Sequence, residues 1–63
     1  MITVKKLLSI MRLDEYTRIF LLEEERRYYL GGGYQPDVLR RFGSKRVCST
    51  KVVEDRFLIF VKQ

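Results

Sequence analysis

Histidine is absent from this chain of 63 residues, and cysteine occurs once, at Cys48. Those two facts remove a good deal of chemistry. Without histidine there is no Ser-His or Cys-His pair to activate a nucleophile. A structural zinc site takes four ligands, mostly Cys and His, and one thiolate cannot supply them. Cys48 alone forms no internal disulfide and suits a reducing compartment better than a secreted one. Long apolar runs are missing as well: no segment approaches the roughly 20 apolar residues that cross a bilayer. Lys5 and Lys6 near the start are not followed by the apolar stretch and cleavage site of a signal peptide. The expectation is a cytoplasmic protein with no cofactor, no metal and no membrane association. An enzyme is not expected. The carboxylate pairs Asp14-Glu15 and Glu54-Asp55 fall at turns, and adjacency does not set the across-substrate geometry of an acid/base pair.

What is present is enough for one domain, residues 1–63. A chain this short buries only ~60 % of the surface its unfolded form exposes, so its stability rests on tight packing or on a partner. The net charge is +5, from 13 basic and 8 acidic side chains. That balance favours acidic partners, nucleic acid first among them. It also serves solubility alone in many small domains. The positives come as scattered pairs: Lys5-Lys6, Arg26-Arg27, Arg40-Arg41 and Lys45-Arg46.

Apolar spacing organises the chain. In TVKKLLSIMR, Val4, Leu7, Leu8 and Met11 recur at i, i+3, i+4 and i+7, with Thr3 as the capping hydroxyl and Arg12 in the last turn. TRIFLLEEERRYYL reads either as one helix with Glu-Arg pairs or as a hairpin about Glu23-Glu24-Glu25. The hairpin is preferred, with arms over 17–22 and 26–30, because Glu23 and Glu24 interrupt the helical face. No Asn-Gly or Asp-Gly marks its turn. Pro36 begins a short helix through Val38, Leu39 and Phe42, and Gly43 is placed to end it in a left-handed conformation. KRVCSTKVV and RFLIFVK flank a two-residue turn at Glu54-Asp55, which sets Val52 opposite Phe57, Thr50 opposite Ile59 and Cys48 opposite Val61 on a core face. The fold class is therefore α+β, in the order α-β-β-α-β-β, with an antiparallel sheet of up to four strands and helices on one face.

Three features carry functional readings. The run Gly31-Gly32-Gly33 lacks the spacing of a phosphate loop or a dinucleotide turn, so it reads as a joint between strand and helix. An anion nest at the start of the following helix is the alternative. Tyr29 and Tyr34, with Arg26, Arg27, Arg40 and Arg41, are the candidate nucleic-acid contacts, where aromatic faces and cations alternate. Packing plus exposed tyrosines explains the same residues without a ligand. The outer side of the C-terminal hairpin, Val53, Leu58 and Phe60, is too apolar for water and is the candidate protein-interaction face. Its simplest occupant is a second copy. Cys48, on the core face, is expected to be buried and inert.

The TVKKLL helix, the hairpin ending Tyr29-Leu30-Gly31, the short helix with Asp37-Val38-Leu39 and the closing RFLIFV strand together resemble small proteins encoded by phages and prophages of Gram-positive bacteria. This chain departs from them in being basic and in carrying EEERR where they often have an Asp-Gly turn. The resemblance implies no catalytic residue. It implies a small effector that binds a host protein, an inhibitor of a defence nuclease being one form.

Overall fold

A computed structural model describes residues 2–62. It places six elements in the expected order: α1 Val4–Ile10, β1 Arg18–Glu23, β2 Tyr29–Gly33, α2 Gln35–Phe42, β3 Arg46–Val53 and β4 Arg56–Lys62. The fold is α+β, with the four strands in one sheet in the order β2-β1-β4-β3. The sheet is mixed rather than wholly antiparallel. Each hairpin pairs antiparallel within itself, but β1 and β4 meet in parallel at the centre, Ile19 beside Phe57 and Leu21 beside Ile59. Local turn signals specify hairpins; nothing local specifies how two hairpins join. No described helix is long and apolar enough to cross a membrane.

The core lies on one side of this sheet. Val4 and Leu8 of α1 and Val38 of α2 pack onto Ile19, Leu21, Phe57, Ile59 and Val61. Several of these are wholly buried, Ile19, Leu21, Ile59 and Val61 among them, and each contributes about 1.5–3 kcal/mol relative to exposure. Thr3 caps α1 as expected, its Oγ1 accepting from the Lys6 N–H at 3.2 Å. The orphan N–H groups of Val4 and Lys5 donate to the carbonyls of Lys45 and Gly43 at 2.9 and 3.0 Å. Helix α1 is thereby stitched to the loop after α2.

Three expectations change. Helix α1 ends at Ile10, with Met11 already extended, so Arg12 lies beyond its last turn. Gly43 is right-handed (φ −57°, ψ −30°), because its N–H bonds to the Leu39 carbonyl while its own carbonyl receives Lys5. The glycine run is not a joint. Gly31, Gly32 and Gly33 are the body of edge strand β2, paired with Leu21, Phe20 and Ile19. A methyl at Gly32 would stand 2.3 Å from the Ile19 carbonyl oxygen, and one at Gly31 would stand 2.6 Å from the Phe42 ring. Glycine is there because strand and helix close in on it.

The open sheet face as candidate functional site

Side chains alternate along a strand, so the residues between the core positions line the opposite face. From the two central strands these are Phe20 and Leu22, directly beside Leu58 and Phe60. Register adds Lys51 opposite Leu58, Val53 opposite Arg56, and Ser49 opposite Phe60. The proposed interaction residues Val53, Leu58 and Phe60 thus fall on one surface. Phe20 and Leu22 belong to it too and were missed, because they are recruited by the parallel pairing. The alternation Arg18-Ile19-Phe20-Leu21-Leu22 does carry the signal: both of its faces are apolar.

This surface has a basic rim. Arg18 lies directly beside Arg56, and the Arg56 guanidinium stands 5.8 Å from the Phe20 ring centroid. The Arg27 guanidinium lies 4.9 Å from the Phe60 centroid. Phe60 is therefore only 7 % exposed, although no helix covers it. The only ion pair among the described residues is Arg40 with Asp37, 2.9 Å apart on α2. The rim cations Arg18, Arg27, Lys51 and Arg56 have no carboxylate partner among the described residues.

The loop that places Arg27 is organised by Glu23. Its carboxylate accepts the Arg26 N–H at 2.9 Å and the Glu25 N–H at 2.7 Å. Its carbonyl accepts the Arg27 N–H at 2.8 Å, and Arg27 then turns left-handed at φ 59°. These backbone N–H donors, Arg26 first, hold the Glu23 carboxyl below the usual glutamate range against the opposing effect of burial. The first residue of EEERR thus does by side chain what an Asp-Gly turn does by backbone. The Glu24 carboxylate accepts from the Ser49 hydroxyl at 3.3 Å, across on β3.

The nucleic-acid candidates do not converge. Arg26 and Arg27 sit in the β1–β2 loop at one end of β2, and Tyr34 lies beyond its other end beside Glu15, Tyr16 and Pro36. Tyr29 is on the open face, its ring 6.1 Å from that of Phe20. Arg40 and Arg41 are on α2, across the sheet; Arg40 is tied to Asp37, and Arg41 lies over Phe42. The glycines proposed for an anion nest lie within edge strand β2, in register with Ile19, Phe20 and Leu21 of β1.

Cys48 is exposed, contrary to its expected place in the core. A bulge between Val47 and Ser49 shifts the register, so Val47, not Cys48, lies opposite Val61. An extra residue in one strand turns the side chain at the bulge away from the face that alternation assigns it. Cys48 instead borders a depression of about 560 Å³ with Glu23, Glu24, Glu25, Arg26, Tyr28 and Lys62. No three of the described carboxylates and thiolate stand so as to hold a metal ion.

No protein-family model, no curated protein and no solved structure matches this chain. The functional reading rests on the surface itself.

Proposed function

We propose that this chain is a non-enzymatic protein-interaction module that docks an acidic protein through the open face of its sheet. One observation carries the reading: an apolar centre of Phe20, Leu22, Leu58 and Val53 is ringed by cations with no carboxylate of their own among the described residues. Arginine is suited to pair with carboxylates at an interface, and an apolar centre within a polar rim is the anatomy of a docking patch. A second copy fits poorly, since two faces of this charge repel.

Single-stranded nucleic acid is the competing partner for a basic, aromatic sheet face. Stacking requires free ring faces. Here Phe60 and Phe20 already lie under guanidinium groups, and the other two central positions are leucines. Leucine offers a base no ring to stack on, whereas a protein surface uses leucine and arginine together. The resemblance to small phage and prophage proteins suits an effector that binds a host protein. The rim has the wrong sign for a nucleic-acid mimic that plugs a nuclease groove, so a defence-nuclease inhibitor of this kind would act at an acidic surface.

The test is a selection of random 12-residue peptides on the folded protein, repeated on Leu58→Glu, whose half-buried position leaves the core untouched. Acidic, apolar peptides that require Leu58 are expected. Peptides that bind both proteins equally would remove the open face from the argument. Random-sequence DNA or RNA that binds at about 50 mM salt and is lost by about 200 mM would transfer the face to nucleic acid.

A further inference from the structure

The open face ends at the outer edge of β3, and that edge is only partly closed. At its start the chain pairs with itself: the Val47 N–H donates to the Ile2 carbonyl at 2.8 Å, and Thr3 forms an antiparallel bridge with Arg46. Past the bulge, no described strand lies outside β3. In an antiparallel ladder closed by a two-residue turn, the closing pair bonds inward and alternate residues turn their N–H and C=O groups outward. Val53 and Arg56 are the closing pair, so Thr50 and Val52 present the free groups. Their side chains point to the helix side, yet Val52 is 69 % exposed. The helices do not reach it. Ser49, Lys51 and Val53 alternate onto the open face.

An exposed edge of β-branched residues is a template for another strand, and natural sheets guard such edges with lysine. Lys51 is the sole charge between Val47 and Val53. A two-fold pairing with a second copy that joins Thr50 to Val52 sets the two Lys51 side chains directly opposite each other, which is destabilising. A strand carrying a carboxylate at that position is attracted instead. Its neighbours on the same face then meet Val53, Leu58 and the guanidinium of Arg56.

We infer that the acidic partner adds an extended segment as a further strand along Thr50–Val52, with a carboxylate against Lys51. This inference rests on the reading of the open face as the docking surface. Main-chain hydrogen bonds supply the attachment, and the basic face selects acidic sequences.

The experiment uses the acidic peptide enriched in the selection above. It is titrated into the full chain, once unmodified and once N-methylated at alternate residues in each of the two phases. N-methylation in the phase that faces β3 is expected to weaken binding at least tenfold, and methylation in the other phase to leave it unchanged. Lys51→Glu is expected to weaken binding by a similar factor. Val52→Pro, which removes an outward N–H and spares the β3–β4 ladder, is expected to abolish binding while the circular dichroism stays native. Should Val52→Pro unfold, the N-methylated peptides still decide the matter, since they leave the protein unaltered. Binding that needs Leu58 but tolerates methylation in both phases overturns the strand and leaves the docking face standing. Recovery of no Leu58-dependent peptide overturns both. A dimer in solution that Val52→Pro dissolves would make the occupant of the edge a second copy and overturn the acidic segment.

Discussion

Gly32→Ala distinguishes two accounts of the glycine run by the sign of its effect. In a flexible joint, alanine restricts the unfolded chain and stabilises by about 0.4–1 kcal/mol. In the strand described here, the added methyl falls 2.3 Å from the Ile19 carbonyl oxygen and 3.2 Å from the Phe20 Cα. Ordinary contact begins near ~3.5 Å, so the backbones of β1 and β2 must part by about 1 Å. Neither neighbour is a side-chain tip that can swing aside. Overpacking of this kind costs about 1–3 kcal/mol, in a domain whose whole stability is about 3–9 kcal/mol by the usual value per residue. The expected loss in Tm is about 5–20 °C. Gly31→Ala meets the rim of the Phe42 ring at 2.6 Å and adds a side chain at φ 159°, so it should destabilise as well. Thermal melts followed by circular dichroism measure both, with urea midpoints as a check that the m-value is unchanged. A Tm for Gly32→Ala equal to or above the parent would refute the close pairing of β1 and β2.

Other residues give further tests. Glu23 has its carboxyl held below the usual range, so the stability it contributes is full above the unfolded pKa, near ~4.3, and is lost as pH falls through the lower folded value. Urea midpoints of Glu23→Gln between pH 7 and 3 should show a shallower acid decline than the parent; parallel curves would remove Glu23 as organiser of the loop. Glu54 opens the β3–β4 turn at φ 56°, where Glu54→Gly relieves left-handed strain and should stabilise by about 0.5–1 kcal/mol. A lower urea midpoint would contradict that turn geometry. Cys48 should react fully with a chromogenic disulfide reagent in the native state, at nearly the rate seen in denaturant; protection would return it to the core.

Much of this architecture is legible in the residues because it is local. Thr3 with Val4 and Leu8 announces α1, Pro36 announces α2, and Glu54-Asp55 sets Val52 against Phe57 and Thr50 against Ile59. What escaped is non-local or runs against propensity. Nothing near Ile19 tells that its neighbour is Phe57, and that pairing brings Phe20 and Leu22 to the candidate site. Three glycines argue against a strand until Phe42 and Ile19 are seen to crowd Gly31 and Gly32, and Gly33 to take a positive φ of 142°. The bulge at Cys48 reverses one residue of an otherwise correct alternation. Phe60 lies where alternation puts it, but only the loop geometry set by Glu23 brings Arg27 over its ring.

The parallel pairing of β1 with β4 also governs the order of events in folding. Each hairpin can close within its own stretch of chain, but the ladder that joins them waits for residues 18–23 to find residues 56–61. A parallel pairing so distant in sequence pays its loop-closure entropy before any contact rewards it, and so forms slowly. Until it happens, β1 and β4 are each the outer strand of an isolated hairpin, with Ile19, Leu21, Ile59 and Val61 lacking their neighbours. Such intermediates have unpaired strand edges and wet apolar side chains, the conditions for association between chains. In the native sheet those two edges are sealed against each other, and the sheet ends instead at β2 and at β3, whose stretch past Cys48 is guarded by Lys51.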